Sequence, residues 1–525
     1  MPIKKTDRNL PDTVNEKWDV IIIGGGITGA GIFRDLAAMG YQVLLLEQND
    51  FAFGTSSRSS KLVHGGLRYL ANGQFNVTRE SVQEREHLQR QYPYLVKPLE
   101  FILPVYERYK YNPSFFEFGI ALYDLFGKKW KHGKYSDRDR KQKFHELDTN
   151  GLRSALYYFD AEVDDARLVW RVLQEGIHAG STALNYCKVE NLLKDQKGLV
   201  SALQVRDLVN QQQVEIPARL VINATGPWTD ELRTQMVEEK VIRKLRGSHI
   251  LFASAKVPVN QAFTIFHPVD GRALFVIPWQ GMTMVGTTDL DHPEIFEREK
   301  PEPFMTAKEM DYLLEAVNKL FPEVDVGEKE IISSFAGLRP IISMGAIAPS
   351  KASRTHKIFV DDNLFSIAGG KLTTFQRMAS DMLKHIRPNL PRHPSRRLPN
   401  HDGIFSEMSK ELGVVMQERL SGILGFSFAD FLAEIPSDEL KPLFSTPFTL
   451  GEIRWAARHE MVQHLSDLML RRTRLGLICA EGGKTLLPQI KSIVQQELGW
   501  SEIEWAQEQS NYLRLWHECY SIPEV

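Results

Sequence analysis

The pattern of apolar and polar positions predicts a strand–helix–strand unit near the start of the chain. Residues 20–23 form an uninterrupted apolar run, which is typical of a strand buried in a parallel sheet. Residues 41–46 form a second run that predicts a strand and is interrupted only by Gln42, and the glycine-rich stretch between the two runs leads into a predicted helix. The second run ends in Glu47. This order predicts a βαβ unit with an acidic residue at the end of its second strand.

Further along the chain, the pattern changes to strands of a different kind of sheet. A predicted helix over residues 77–91, dense in Glu, Arg and Gln, is followed by two prolines that break it. Residues 95–106 and 263–284 carry aromatic and β-branched runs that predict a separate antiparallel sheet. Residues 220–222 predict another buried strand, which leads into the string NATGPW. We expect the substrate to lie between two domains.

The C-terminal part of the chain is predicted to be a small helical domain. Residues 387–400 hold four prolines and four arginines and cannot continue a helix, so we place a domain boundary there. Pro488 suits the first turn of a helix, and Ser501 with Glu504 predicts a capping box. Apolar residues also recur at helical spacing, at Ile453, Ala457, Met461, Leu465 and Leu468.

Length and composition restrict the class of protein. A chain of 525 residues is too long for one ordinary core, which predicts two or three domains. The 43% hydrophobic and 25% charged content is that of a soluble globular protein. No apolar run approaches the ~20 residues needed to span a bilayer. The first 17 residues lack an apolar core and carry acids as well as bases, which argues against a signal or transit peptide and favours a cytoplasmic start.

Charge and cysteine content exclude several functions. The formal net charge is −2, so no overall basic field attracts nucleic acid. The three cysteines, Cys187, Cys479 and Cys519, are far apart and form no CxxC pair. This spacing argues against a disulfide scaffold, a thiol redox relay and a cysteine-ligated metal site. No metal site is predicted, and redox chemistry would have to come from an organic cofactor.

The glycines after the first strand have the GxGxxG spacing of a dinucleotide site. Gly24 permits a tight turn, Gly26 lets the backbone approach a pyrophosphate, and Gly29 lets the helix pack closely on the strand. The N–H groups and the dipole at the helix N-terminus favour phosphates. Glu47, at the expected spacing of about 20 residues, can accept hydrogen bonds from ribose hydroxyls and would repel a 2′-phosphate. Glycine-rich loops also build plain turns, so it is this context that predicts a bound dinucleotide.

The segment over residues 54–70, GTSSRSSKLVHGGLRYL, decides between NAD and FAD. It resembles the flavin-contacting signature of the FAD-dependent glycerol-3-phosphate dehydrogenases, within the larger group of glutathione-reductase-like and D-amino-acid-oxidase-like flavoproteins. The resemblance covers nearly the whole chain. It has two modest departures, which are Phe375 directly after the string GGKLTT and a polar leader of 17 residues. Later strings match in the family's order: VDDARL (163–168), NATGPW (223–228), GSHI (247–250), FVIPW (275–279), GTTD (286–289), GLRP (337–340) and GGKLTT (369–374).

The resemblance implies an α/β fold with three parts. It implies a Rossmann-like FAD-binding domain over residues 17–390 that is discontinuous in sequence. An interleaved substrate domain, built on an antiparallel sheet, is expected mainly at about 92–160 and 245–345. Residues 401–525 form the C-terminal helical domain. The implied cofactor is FAD, bound by Gly24, Gly26, Gly29, Glu47, Thr55, Ser56, Ser60, Lys61, Leu62, Gly226, Gly370, Lys371, Leu372 and Thr373.

The family strings also supply candidates for catalysis of alcohol oxidation, which needs a base, a hydride path and charge stabilisation. His64 is the first candidate base and His249 the competing one, and either could instead be a structural histidine. Arg68 and Tyr69 could hold substrate oxygens. Arg339 suits a substrate phosphate, with a buried ion pair as the alternative. Lys371 could neutralise reduced flavin or bind substrate.

The resemblance implies oxidation of sn-glycerol 3-phosphate to dihydroxyacetone phosphate, with electrons passed to the membrane quinone pool. The alternatives are a glycerophosphate oxidase that uses oxygen, an amine or amino-acid oxidase, and a non-catalytic FAD-binding redox sensor. A homodimer is an open alternative to a monomer.

Peripheral attachment to the inner face of the cytoplasmic membrane is also expected. Residues 115–134 join an aromatic, apolar stretch to basic residues, as a peripheral membrane segment does. A core helix with a solvated basic end would have the same sequence pattern. Arg396 with its neighbouring arginines and residues 470–477 are further candidates for membrane contact.

Overall fold

The computed structural model describes residues 9–67, 70, 73–109, 111–128, 130–144, 147–343, 355–399 and 412–523. Its strands are β1 (Val20–Ile23), β2 (Val43–Leu46), β3 (Leu62–Val63), β4 (Val96–Tyr106), β5 (Gly133–Lys134), β6 (Leu152–Val163), β7 (Thr182–Leu184), β8 (Cys187–Lys194), β9 (Val200–Asp207), β10 (Gln213–Pro217), β11 (Val221–Asn223), β12 (Ile242–Ala253), β13 (Ala262–Phe266), β14 (Ala273–Trp279), β15 (Met282–Gly286), β16 (Leu290–Asp291), β17 (Ile331–Ile342), β18 (His356–Asp361) and β19 (Leu364–Gly369). Its α-helices are α1 (Ile27–Ala38), α2 (Phe75–Gln91), α3 (Pro113–Phe126), α4 (Asp137–Lys143), α5 (Asp165–His178), α6 (Thr229–Arg233), α7 (Glu294–Glu299), α8 (Ala307–Leu320), α9 (Phe375–Ile386), α10 (Val414–Leu424), α11 (Phe428–Glu434), α12 (Leu450–His459), α13 (Leu465–Asp467), α14 (Leu475–Ile478), α15 (Leu487–Leu498) and α16 (Glu502–Cys519).

A six-stranded sheet carries the glycine-rich turn. Its order is β18-β19-β11-β1-β2-β7, and every neighbouring pair is parallel except β18 with β19. All four residues of β1 are buried, as are those of β2, and helix α1 packs on both strands, with α5 and α9 packed against α1 in turn. The strands come from four separate stretches of chain, so the sheet is discontinuous in sequence. The limits given above for the domains stay predictions.

A second, larger sheet of ten strands lies beside it. The main path is β16-β12-β15-β14-β13-β4-β6-β3, and β17 and β5 pair with β12 and β6. The predicted antiparallel arrangement is confirmed with one exception, since β13 and β4 run parallel. The edge strand β3 follows directly on the segment that begins at residue 54, so this segment runs from one sheet to the other. A third sheet has three strands in the order β10-β9-β8. The predicted α/β fold class is confirmed.

The C-terminal region is helical, as predicted. Pro488 lies in the first turn of α15, and Ser501 and Glu504 form the expected capping box at the start of α16. The apolar positions from 453 to 468 do not lie on one helix, however. Helix α12 ends at His459, and Met461 takes a left-handed backbone conformation with φ of 54°, which interrupts the helical repeat. The side chains remain buried on both sides of this break.

Residues 470–477 do not contact a membrane, and that expectation is wrong. Arg471, Arg472 and Arg474 are at most 4% exposed, because they bind buried carboxylates of the N-terminal part of the chain. The carboxylate of Asp50 lies 2.6 Å from Nε of Arg471 and 2.8 Å from Nη1 of Arg472. In the part of the chain that the structure describes, no helix has both the length and the apolar character needed to cross a bilayer.

Candidate functional site

Two adjoining cavities lie between the sheets. The first, of about 350 Å³, is bounded by the N-terminus of α1 and is called the α1 cavity. The second, of about 380 Å³, lies under the ten-stranded sheet and is called the sheet cavity. Several residues line both, and the two cavities therefore form one elongated space of the kind that an extended cofactor with a substrate beside it requires. The shared residues are Thr55, Ser59, Pro340, Gly370, Lys371 and Leu372.

The α1 cavity has a backbone cradle built by glycines. Gly24 has φ of 112°, and a Cβ atom there would lie 2.6 Å from the carbonyl oxygen of Ala224 in the NATGPW turn. A Cβ atom on Gly29 would lie 1.9 Å from the carbonyl oxygen of Gly24, so α1 packs as closely on β1 as the spacing predicts. Gly26, which also lines this cavity, is the N-cap of α1. This cradle fits the pyrophosphate of a dinucleotide.

Glu47 lines the α1 cavity at the end of β2 and also braces its loops. Its carboxylate accepts hydrogen bonds from N–H of Gly25 at 2.7 Å and from N–H of Asn49 at 2.8 Å. Burial raises the pKa of Glu47, and the two backbone N–H groups oppose that rise. A ribose hydroxyl would add to these hydrogen bonds, and the ribose contact stays a prediction. Ser56 accepts a hydrogen bond from N–H of Ile27 at 3.0 Å, at the start of α1.

Most of the predicted cofactor residues line one or both cavities. Gly226, with φ of 59°, lines the α1 cavity. Thr55 lines both cavities and donates a hydrogen bond to the carbonyl oxygen of Leu338. Ser60, Leu62 and Thr373 line the sheet cavity. Gly370, Lys371 and Leu372 follow β19 and reach both cavities.

Two predicted cofactor residues line neither cavity. Gly29 acts through helix packing, as described above. Lys61 is fully buried, and its ammonium group lies 2.8 Å from a carboxylate oxygen of Asp165. Its predicted contact with FAD has no support from this placement. Arg68 and Tyr69, which the family string implies as substrate contacts, lie outside the described residues.

Both candidate histidines line the sheet cavity. His249, on β12, is 2% exposed, and its Nε2 atom lies 2.9 Å from the hydroxyl of Ser60. Its ring stacks on Phe335 of β17, the residue opposite in register. Burial lowers the pKa of His249 well below its usual range, and the charges of Arg339 and Lys61 lower it further. The imidazole is therefore neutral at physiological pH.

His64 follows β3 and is half-buried. Its ring lies edge-on to Phe275, with the ring centroids 6.0 Å apart. The next residue, Gly65, donates its N–H to the carboxylate of Asp160 at 3.1 Å, which fixes the backbone that carries His64. Asp160 also lines the sheet cavity.

Two arginines of the sheet cavity share one buried carboxylate. Nη1 of Arg339 lies 2.9 Å from Oδ1 of Asp289, and Nη2 of Arg272 lies 3.2 Å from Oδ2 of Asp289. Arg339 also donates to the hydroxyl of Thr287 at 2.9 Å. The ion pair that was the alternative role for Arg339 is therefore present, in a residue that still lines the cavity. Sequence analysis missed Arg272, and the available signal was a cation shortly before the string FVIPW.

Lys371 carries a positive charge at the junction of the two cavities. Its ammonium group donates to the hydroxyl of Ser81 on α2 at 3.2 Å. Gly370, with φ of 77°, precedes it and lets the backbone turn at this point. The position suits contact with a cofactor on one side and a small anionic substrate on the other.

The sheet cavity opens beside helix α3, where its wall is aromatic. Phe115, Phe116 and Phe118 line this end, and Phe118 is 71% exposed. Leu125, also on α3, is 63% exposed. The cavity therefore joins a polar interior, which holds histidines and arginines, to an apolar surface. Within the described residues, no cluster of His, Cys, Asp and Glu could hold a metal ion.

Comparison with known proteins gives matches along nearly the whole chain. The family model described as FAD dependent oxidoreductase matches residues 19–371, and the model described as C-terminal domain of alpha-glycerophosphate oxidase matches residues 403–504. The chain is 31% identical to the aerobic glycerol-3-phosphate dehydrogenase of Bacillus subtilis, over 98% of this chain and 97% of that protein. It is 38% identical to the aerobic glycerol-3-phosphate dehydrogenase of Staphylococcus haemolyticus, over 72% of this chain and 68% of that protein.

Solved structures have the same fold. The glycerol-3-phosphate dehydrogenase from Bacillus halodurans complexed with FAD has a TM-score of 0.76 and 28% identity, with 98% of each chain covered. L-alpha-glycerophosphate oxidase from Mycoplasma pneumoniae with FAD bound has a TM-score of 0.55 and 17% identity, over 73% of this chain and 97% of that one, which shows the shared fold alone. The cofactor is FAD, and the chain belongs to the aerobic glycerol-3-phosphate dehydrogenase family of FAD-dependent oxidoreductases.

Proposed function

We propose that this protein oxidises sn-glycerol 3-phosphate at its C2 hydroxyl and releases dihydroxyacetone phosphate. The observation that carries the proposal is the content of the sheet cavity, where Arg339 and Arg272 lie in the same space as His64 and His249. Two guanidinium groups suit a phosphate, and a neutral imidazole suits the proton of an alcohol.

Residues of the α1 cavity are proposed to hold FAD through the glycine cradle and Glu47. The chemistry that FAD supplies when bound is acceptance of the hydride from C2. The chain itself has to bind the phosphate, remove the hydroxyl proton and keep the reacting carbon in place.

Arg339 and Arg272 are proposed to bind the substrate phosphate. Their shared partner Asp289 is 1% exposed at its side chain and holds both guanidinium groups in place before substrate arrives. Two positive charges and one negative charge leave an excess positive charge that favours an anion. The planar guanidinium of Arg339 can then present two N–H groups to phosphate oxygens. Arg68 and Tyr69 stay proposed contacts for the other substrate oxygens.

One of the two histidines is proposed to take the proton from the C2 hydroxyl. His249 suits this role because it is neutral, and because its Nδ1 atom has no hydrogen-bond partner among the described residues. His64 suits it because it is half-buried in the same cavity, on a backbone fixed by Asp160. Lys371 is proposed to add positive charge where the two cavities meet, or to bind a substrate oxygen.

Quinone is the proposed electron acceptor, with peripheral attachment to the inner face of the cytoplasmic membrane. The supporting observation is α3, which lines the mouth of the sheet cavity and exposes Phe118 and Leu125. Lys128 and Lys131 follow this helix and are exposed, so that an apolar face stands beside positive charge. A homodimer remains part of the proposal.

A glycerophosphate oxidase that uses oxygen is the second candidate. The name of the family model that matches residues 403–504 favours it. Turnover measured with a quinone analogue and with oxygen separates the two, since the oxidase forms hydrogen peroxide at the same rate as product. An amino-acid oxidase would need a clamp for a carboxylate, and a redox sensor would leave the arginines of the sheet cavity without a role.

Anaerobic mixing with glycerol 3-phosphate tests the proposed function. We expect the flavin absorbance of the protein to bleach with glycerol 3-phosphate, and far more slowly with glycerol, which lacks the phosphate. Unbleached flavin after prolonged mixing with glycerol 3-phosphate would overturn the proposal and leave the redox sensor. Bleaching with amino acids instead would identify an amino-acid oxidase.

A further inference from the structure

Four charged side chains form a buried cluster next to the site but outside both cavities. They are Lys61, Asp164, Asp165 and Arg474, and this group is called the four-charge cluster. None of their side chains is more than 5% exposed. Two positive and two negative charges balance one another, and the proposed reaction uses none of them directly.

The cluster joins three distant parts of the chain. Lys61 belongs to the segment before β3, whereas Asp164 is the N-cap of α5 and Asp165 is its first residue. Arg474 comes from the C-terminal region, where it follows a π-helical turn over Leu468–Arg472 and has φ of 59°. Its Nη2 atom lies 2.8 Å from Oδ1 of Asp164 and also binds Asp165.

Asp165 transmits this contact to the backbone of the segment before β3. Its Oδ2 atom accepts hydrogen bonds from N–H of Ser59 at 3.0 Å and from the hydroxyl of Ser59 at 2.7 Å. The Ser59 hydroxyl in turn accepts a hydrogen bond from N–H of Lys61 at 3.0 Å. The carbonyl oxygen of Ser57 accepts from Nζ of Lys61 and, at 3.4 Å, from Nη1 of Arg474. Residues 57–61 are thus fixed by the cluster at several points.

The same residues form part of the wall of the site. Ser59 lines both cavities, and Ser60 places its hydroxyl 2.9 Å from Nε2 of His249. Neighbouring side chains of this segment therefore point to different places. Lys61 points into the cluster, whereas Ser60 and Leu62 line the sheet cavity.

We propose that Arg474 is a positioning residue, which fixes residues 57–61 against FAD and His249 through Asp165. The C-terminal region thereby supports, from outside, a site whose lining residues, among those that the structure describes, all precede residue 376. Buried ion pairs add little net stability compared with apolar residues of the same volume, so stability alone gives a weak account of the cluster. The geometry that it imposes on residues 57–61 gives a better one.

Substitution at Arg474 in the full-length protein tests this role. The variants are Arg474→Met, Arg474→Lys and the double variant Arg474→Met with Asp165→Asn, which restores the balance of charge. Arg454→Met is the matched control, because Arg454 is a largely buried arginine of the same region that binds Glu439 and Glu497. The dissociation constant of FAD is measured by reconstitution of the apoprotein, together with the visible spectrum of bound flavin and the melting temperature.

We expect Arg474→Met to weaken FAD binding by roughly 10- to 100-fold, the scale seen at metal sites when a residue that orients a binding group is removed, and to change the flavin spectrum. The double variant should recover melting temperature but not FAD affinity or spectrum, since charge balance is restored without the contact. Arg474→Lys keeps the charge and should show a smaller loss of affinity. Arg454→Met should lower the melting temperature alone.

FAD affinity and spectrum equal to wild type in Arg474→Lys and the double variant would overturn the proposal, even if Arg474→Met does not fold. These measurements need no turnover, so they stand whether or not glycerol 3-phosphate is the substrate. One further prediction rests on the proposed function, because it concerns turnover of glycerol 3-phosphate. In Arg474→Met we expect kcat to fall more than KM rises, because Arg474 does not touch the substrate.

Discussion

The hydroxyl of Ser60 lies 2.9 Å from Nε2 of His249, although 189 residues separate the two along the chain. Ser60 comes from the segment before β3, which is one end of the main path of the ten-stranded sheet, and His249 lies on β12, the second strand from the other end. Distant parts of the sheet therefore meet across the sheet cavity. This hydrogen bond fixes the orientation of the imidazole ring. It also brings a predicted cofactor residue and a candidate base into direct contact.

The pH dependence of catalysis should identify the base. A base acts when it is unprotonated, and burial with the charges of Arg339 and Lys61 holds the pKa of His249 well below 6.5. If His249 is the base, kcat/KM, after correction for the second ionisation of the substrate phosphate at a pKa of about 6, stays constant as pH falls through 6.5 and declines only at a clearly lower pH. His249→Gln should lower kcat/KM by on the order of 10²- to 10⁴-fold and remove this acid limb. A His249→Gln profile that keeps the acid limb, together with its loss in His64→Gln, would instead assign the base to His64.

Arg339→Ala should reduce the preference of the enzyme for a substrate that carries a phosphate. We expect kcat/KM for glycerol 3-phosphate to fall by a factor that corresponds to about 2–5 kcal/mol, while kcat/KM for glycerol falls far less. Arg272→Ala should act in the same direction, and Arg339→Lys should give an intermediate loss because it lacks the planar fork. Arg243→Ala is the control, since its ion pair with Asp291 is at the surface. An unchanged ratio between the two substrates in Arg339→Ala would place the phosphate elsewhere, with Arg68 and Lys371 as the next candidates.

The local parts of the fold could be predicted from sequence because their signals are local. The run at 20–23 is apolar at every position and matches β1 residue for residue, and Gly24 and Gly29 have the spacing that a close turn needs. The capping box of Ser501 and Glu504 is likewise decided within four residues. At Met461, packing between distant segments determines the backbone conformation. Periodicity alone predicted a continuous helix there, and the structure does not have one.

The site was harder to predict because its contacts are not local. Lys61 belongs to a string that resembles a flavin signature, but its partner Asp165 comes from another element and turns its side chain away from the cavities. Arg272 reaches the sheet cavity only through the pairing of β14 with its neighbours and through the carboxylate of Asp289. The pairing of Lys61 with Asp165 leaves no pattern in the residues around it, and the only local signal for Arg272 is a single cation shortly before a strand.

Glu47→Arg should weaken FAD binding and disturb the loops around the cradle. The carboxylate accepts two backbone N–H groups, from Gly25 and Asn49, and a guanidinium group would present only donors to them. Glu47→Gln keeps one acceptor oxygen and should show a smaller loss. The dissociation constant of FAD, measured on reconstituted apoprotein, checks this. Equal FAD affinity in Glu47→Arg and wild type would remove Glu47 from the cofactor site.

Attachment to membranes should depend on helix α3. The double variant Phe118→Ser with Leu125→Ser removes two exposed apolar side chains, so binding to vesicles that contain anionic phospholipid should fall in a sedimentation assay. Val415→Ser with Ile503→Ser is the matched control, because these side chains are 80% and 82% exposed on α10 and α16. Added salt should weaken binding of the wild type as it screens the basic residues. Equal sedimentation of the two double variants would exclude α3 as the contact.

Asp160 should prove essential for the loop that carries His64. Its Oδ1 atom accepts hydrogen bonds from N–H of Gly65 at 3.1 Å, from Arg85 at 2.7 Å and from the hydroxyl of Tyr123 at 2.5 Å. Asp160→Ala leaves the buried charge of Arg85 without this partner, which costs about 3–5 kcal/mol of stability. Tyr123→Phe removes one hydrogen bond to this carboxylate and should cost less, about 1.5–3 kcal/mol.

The two variants should also differ in activity at equal flavin content. Asp160→Ala releases Gly65 and should lower kcat together with stability, whereas Tyr123→Phe leaves the bond to Gly65 in place. Urea midpoints and kcat, measured side by side, provide the comparison. If Asp160→Ala lowered the midpoint while kcat stayed at the wild-type value, Asp160 would serve the fold alone, and the position of His64 would not depend on it.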